Sequence, residues 1–324
     1  MKSTIIILVI VSIIGNGCKS NSREVVNVKC ALKWIHHSQF AGLYVAEEKG
    51  LFRNNNINLT FLPGGLGKNE IIAVTSGDAQ IGITSAEQIL IARSRGINVK
   101  CLAVIFRFSP VCFFSKKNKQ ILTPFDFIGK RVAVQHGTNV EIEYSILLKE
   151  LGIDELLINE IPTSHNLQLF FEDKIDVWNG YIFNEPLIAE EHGMTLNIIQ
   201  AKDYGINFYA DCIFATDSFI EKNPEKINNL VNAMLKGWML VYENQKESVN
   251  SVLRKNKNLD FANEFRKIEM IKNLIRLENT AAIGNIDKNI LQYMYNKLSE
   301  NGFLGDVKFD ISDCFTNRYN NSMN

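Results

Sequence analysis

Apolar and polar positions alternate from Val26 through Val28, Cys30 and Leu32 to Trp34, the period of a strand with one buried face. Phe40, Leu43 and Tyr44 then recur at helical spacing, and Gly50 closes the segment where a left-handed cap is expected. Trp34, His36, His37, Ser38 and Gln39 are left in the strand-to-helix turn. In an open α/β sheet such a turn faces the crevice outside the carboxyl ends of the strands, where ligands bind.

The alternation continues to about residue 200. Strand patterns fall near residues 26–34, 58–62, 80–83, 99–106, 111–115, 131–134, 157–161, 176–178 and 196–199. Helical patterns separate most of them, several ending in glycine, which makes the class α/β. The segments SGDAQIGIT (76–84) and FEDKIDVWN (171–179) echo each other, each running from a helix end into a short strand and a polar turn. That echo predicts two similar lobes. After Asp217 the chain reads as almost wholly helical, with Pro224 at a first helical turn and amphipathic stretches through Leu298.

The N-terminus predicts where the chain works. Lys2 precedes an apolar run from Thr4 to Ile14, too short to span a bilayer and suited to a signal peptide over residues 1–17. Gly15, Asn16 and Gly17 lead into Cys18 as at a bacterial lipoprotein cleavage site, although Gly15 stands where Leu is usual. Lipidation of Cys18 would leave residues 18–24 as a polar tether, facing the periplasm or cell exterior; plain secretion is the alternative. About 300 residues remain, enough for two lobes with separate cores. Lys plus Arg, 35, balance Asp plus Glu, 35, with no long basic stripe, which argues against nucleic acid. The later cysteines, Cys30, Cys101, Cys112, Cys212 and Cys314, form no CxxC pair and read as small core residues, with one disulfide left open by export.

Metal and nucleotide motifs fail. His36 and His37 are adjacent and unaccompanied by HExxH or a carboxylate set, so no metal is expected. In the glycine-rich turn 63–68, Leu62 and Asn69 break the phosphate-loop spacing. The turn Gln135, His136, Gly137, Thr138 and Asn139 opens a helix and is a candidate ligand contact, His136 foremost; a plain turn with Thr138 as N-cap is the alternative.

QFAGLYVAEEKGLF (39–52), DVWNGYIFNEP (176–186) and DYGINFYADCIFATDSFIEKNPEKI (203–227), in this order, resemble the periplasmic substrate-binding proteins that include binders of thiamine pyrimidine precursors. Riboflavin, sulfonate and nitrate binders and the fungal thiamine pyrimidine synthase are relatives in that superfamily. The resemblance implies a two-lobe periplasmic binding protein fold of type II. Lobe one would hold residues 25–108 plus 213–324 and lobe two residues 109–212, with crossings near 106–111 and 207–214 acting as a hinge. Such a protein works by closing a cleft over one small molecule, so that ligand shifts the population toward a closed form that an ABC permease can read.

The turns nominate the cleft residues. Trp34 ends the first strand, Trp178 ends a strand of lobe two, Tyr181 lies just beyond it, and Tyr209 sits near the return crossing. Opposed aromatic faces suit a planar heterocycle. Glu185 in the same turn as Tyr181 can accept from an exocyclic amine and a protonated ring nitrogen, and Asn179 and Asn184 can both donate and accept. His37 and Gln39 join them from the first turn. The resemblance implies the same aromatic clamp and carboxylate. Plain structural roles stand beside these: Trp178 as core, Trp238 as core on its helix, and Glu185 as a helix N-terminal acid ahead of Pro186.

In the fungal synthase a lysine and a histidine after the third strand do the chemistry, together with a run of cysteines. Here Thr84 stands at the lysine position and Gln88 at the histidine position, and Cys212 alone remains of the cysteines. Without that amine no Schiff base forms there, so the chain reads as a non-enzyme without cofactor. The expected ligand is an aminopyrimidine, with riboflavin or a sulfonate as alternatives, and the expected output is delivery to a permease or, alternatively, to a signalling partner.

Overall fold

The computed structural model describes residues 24–164, 166–275 and 283–319. The signal peptide, Cys18 and nearly all of the tether lie outside them. Among the described residues no helix is long and apolar enough to cross a membrane.

The first half of the chain runs β1 (Val26–Ala31), α1 (Ala41–Glu48), β2 (Ile57–Leu62), α2 (Glu70–Thr75), β3 (Ile81–Thr84), α3 (Ala86–Ser94) and β4 (Val99–Val104). It then continues through β5 (Val111–Lys116), β6 (Arg131–Val134), α4 (Asn139–Glu150), β7 (Asn159–Pro162), α5 (Gln168–Phe171), β8 (Val177–Tyr181), α6 (Glu185–Glu191) and β9 (Leu196–Gln200). It returns with β10 (Cys212–Thr216), followed by α7 (Asp217–Lys222), α8 (Pro224–Val241), α9 (Gln245–Lys255), α10 (Phe261–Ile275) and α11 (Lys288–Glu300).

Two five-stranded sheets result, ordered β2-β1-β3-β10-β4 and β7-β6-β8-β5-β9. In each, the first, second and third positions pair in parallel, and the fourth is filled antiparallel by the strand that has just crossed from the other half, β10 in one and β5 in the other. The sequence echo falls on β3 and β8, which hold the same place in their sheets. The end of the crossing read from sequence as 207–214 enters a full strand, β10. Its pairing partners lie more than a hundred residues back, so no local pattern marks it.

Helix α1 packs closely on α8. A Cβ at Gly42 would overlap the Trp238 ring, and one at Gly237 would meet the Gly42 carbonyl, so both glycines are set by close approach. Trp238 is buried there, as its helical spacing predicts. Cys30, Cys101, Cys112, Cys212 and Cys314 are buried free thiols. Helix α11 ties the two halves together: Tyr293 donates to the Gly205 carbonyl at 2.9 Å, and Lys297 pairs with Glu150 at 2.8 Å.

Candidate functional site

A cleft of about 440 Å³ lies between the sheets, and turns at the carboxyl ends of their strands build most of its wall. Lys33 and Trp34 follow β1, Gly65 to Asn69 follow β2, and Ser85 follows β3. From the other side, Gln135 to Thr138 follow β6, Thr163 and Ser164 follow β7, and Tyr181 ends β8. Helix starts complete it with Asn139 of α4 and Glu185 of α6.

Lys33 holds the floor. Its ammonium donates to the Tyr181 hydroxyl at 2.8 Å and pairs with Asp211 at 3.3 Å. The Tyr181 hydroxyl in turn donates to Asn139 Oδ1 at 3.1 Å. Burial works against the charge on Lys33, but the Tyr181 oxygen and the Asp211 and Glu87 carboxyls outweigh it and hold its pKa above the usual range. Asp211 is fixed by Gln39 Nε2, which donates to both of its oxygens at 3.0 and 2.9 Å.

That bond also settles His37. Gln39 donates through its nitrogen, so its oxygen accepts from His37 Nε2 at 3.0 Å, which places the ring proton on Nε2. Burial, then the nearby Lys267 ammonium, push the His37 pKa down to about 4, so the imidazole is neutral at pH 7.

Glu185 sits at the backbone end of Tyr181. Its Oε2 accepts the Tyr181 N–H at 2.7 Å and its Oε1 accepts from Asn184 Nδ2 at 3.0 Å. Burial raises its pKa against those hydrogen bonds. Gly180 is required beside it, because a Cβ there would overlap the Glu185 carboxyl. Pro186 follows Glu185 in the first turn of α6, so the structural role of a helix-start acid is also present.

Of the residues nominated from sequence, Trp34, His37, Gln39, His136, Tyr181, Asn184 and Glu185 come together at this cleft. Four do not line it. Trp178 is fully buried against Phe114 and Phe170 within the second lobe, because its side chain leaves the far side of β8. Asn179 is buried one layer deeper, its Nδ2 donating to the Ala133 carbonyl at 2.6 Å and its Oδ1 accepting from Gln135, which does reach the cleft. Thr84 spends its hydroxyl on the Glu70 carboxylate. Tyr209 is core: its hydroxyl accepts from the Asp287 N–H at 3.3 Å and its carbonyl accepts the Ala86 N–H at 3.2 Å, pinning the return crossing. His136, 60% exposed, pairs with Glu141 at 2.6 Å, and Thr138 caps α4.

Gln135 and Asn139, in the turn read from sequence as a candidate ligand contact, also line the cleft, whereas Lys33 and Ser85 were not nominated. A signal for the first existed: Lys33 lies between Leu32 and Trp34, and Asp211 between Ala210 and Cys212, one charge of each sign set in an apolar strand end. Buried ions of this kind need partners. Among the described residues no group of three or more His, Cys, Asp or Glu is placed to hold a metal.

The family described as NMT1/THI5 like matches residues 37–248, well over half of the chain. The chain belongs to the NMT1/THI5 like family. Within reach of this NMT1/THI5 like chain, the riboflavin-binding protein RibY of Chloroflexus aurantiacus is 29% identical over 234 residues, 70% of this chain and 66% of RibY, just short of two thirds of that relative. The formylaminopyrimidine-binding protein of Halalkalibacterium halodurans is 23% identical over 273 residues, 81% of each chain. The periplasmic aliphatic sulphonate binding protein SsuA of Escherichia coli superposes with a TM-score of 0.72 at 16% identity, covering 88% of this chain and 96% of SsuA. That likeness shows the two-lobe periplasmic binding protein fold.

Proposed function

We propose that this protein is an extracytoplasmic solute-binding protein that closes over one planar nitrogen heterocycle, of the isoalloxazine (riboflavin) class, and presents it to an ABC permease, with Cys18 as its lipid anchor. The observation that carries the reading is the cleft itself. At about 440 Å³ it falls in the range of roughly 300–1,000 Å³ that takes drug-sized ligands, and a single pyrimidine ring would leave much of it to water. Trp34 from one lobe and Tyr181 from the other supply aromatic surface. The neutral amides and hydroxyls of Gln88, Gln135, Asn139, Thr138 and Thr163 suit a polyhydroxyl side chain. The RibY likeness supports the same class.

The Glu185 carboxyl favours a second reading, the aminopyrimidine expected from sequence, since a carboxylate pairs well with an exocyclic amine. A binding rather than a synthase role is supported by Thr84, a buried hydroxyl where the synthase carries its lysine, and by Lys33, held protonated and so not a nucleophile. Purification without denaturation, mass spectrometry of the cleft contents, and thermal unfolding with riboflavin or an aminopyrimidine test the reading. A riboflavin-dependent rise in Tm is expected. No shift with either compound removes it.

A further inference from the structure

Beneath the cleft floor lies a buried polar column that a simple clamp does not need. Lys33, Glu87 and Gln39 come from lobe one, and Asn139, Glu143 and Tyr181 from lobe two. Asp211 and Ser109 sit in the two crossings. Ser109 donates to Glu143 Oε1 at 2.6 Å, and Ser85 beside Glu87 and Asn139 beside Glu143 work against the burial of the two carboxyls. Burial raises the pKa of both glutamates. Lys33, which lines the cleft, pairs at 3.3 Å with Asp211, which is buried behind it.

An ammonium has three N–H donors. Lys33 gives one to Tyr181 and directs one at Asp211, and the third has no partner among the described residues while Lys33 lines the cleft. Glu185 stands one tyrosine side chain away, bonded to the Tyr181 N–H. The Tyr181 side chain therefore carries a cation at its phenol end and a carboxyl at its backbone end.

We infer that Lys33 determines ligand specificity, its third N–H donating to a carbonyl oxygen on the ligand edge while Glu185 receives an N–H from the same ring system. This deepens the reading proposed above and rests on it. The cleft then selects heterocycles bearing a ring carbonyl and an N–H donor on separate positions, as an imide-bearing ring does, over rings that carry no carbonyl. Because the Tyr181 hydroxyl comes from the opposite lobe, the donor is aimed only when the lobes are closed.

The test is a calorimetric titration of the full chain with riboflavin, which carries carbonyl acceptors, and with 4-amino-5-hydroxymethyl-2-methylpyrimidine, which carries none. Lys33→Met is expected to lose at least tenfold in riboflavin affinity, the range of one charged hydrogen bond, and to change the aminopyrimidine affinity by less than threefold. If Lys33→Met does not fold, with Asp211 uncompensated, the Lys33→Met/Asp211→Asn double variant carries the same expectation. An unchanged riboflavin-to-aminopyrimidine ratio overturns the role of Lys33 alone. Wild-type protein that takes the aminopyrimidine and ignores riboflavin also overturns it while leaving a binding protein. Wild-type protein that takes neither overturns the functional reading together with it.

Discussion

The Lys33 ammonium donates to the Tyr181 hydroxyl at 2.8 Å, joining the turn after β1 in one lobe to the end of β8 in the other. Lys33 lies 5.3 Å from the Tyr181 ring centroid, beyond the hydroxyl and not over the ring face, so the hydrogen bond is the contact.

Removing that acceptor separates closure from folding. Tyr181→Phe keeps the ring and its packing on Phe183 but leaves Lys33 with one partner fewer. Ligand affinity is expected to fall about tenfold, with the ligand-free protein more open in small-angle scattering and the Tm of the free form changed little.

Trp178 and Trp34 part company. Trp178→Phe opens space in the second lobe's core and should cost about 1–3 kcal/mol in chemical denaturation, with ligand affinity unchanged. Trp34→Phe should leave stability nearly intact and abolish most of the ligand-induced quenching of tryptophan fluorescence, since Trp178 and Trp238 are fully buried.

Glu185→Gln should weaken binding about tenfold in calorimetry, while Trp238→Phe, in the core against α1, should leave affinity in place and lower stability. Equal affinity in wild type and Glu185→Gln would reduce Glu185 to a helix-start acid.

His37 gives a pH dependence of known sign. Its folded pKa, about 4, lies below the unfolded value of 6.5, so below pH 6.5 the unfolded chain takes a proton that the folded one refuses. Its contribution is fully present above pH 6.5 and is lost as pH falls toward 4, by about 3 kcal/mol in all. Urea denaturation at pH 7 and pH 4 should show His37→Gln losing less stability over this window than wild type does.

Much of this architecture is local and therefore legible. The strand, turn and helix pattern from Val26 to Gly50 depends on side-chain period and on a glycine cap, and it put Trp34, His37 and Gln39 at the cleft. Asn184 and Glu185 were legible for the same reason, lying where a strand gives way to a helix that starts at Glu185 with Pro186 beside it. The echo of 76–84 and 171–179 pointed to two similar lobes, and its two copies occupy the same place in the two sheets.

What the tertiary structure decided is direction and partnership. Strand β8 is covered on both faces, so burial does not alternate along it and the sequence holds no sign that Trp178 points into the core while Tyr181 points into the cleft. Strand β10 exists because β3 and β4 leave a place between them, and Lys33 carries a stable buried charge because the return crossing brings Asp211 beneath it. Backbone preference acts over a few neighbouring residues. The choice of face and the pairing of distant charges are fixed by packing and desolvation, which arise only once the chain has closed on itself.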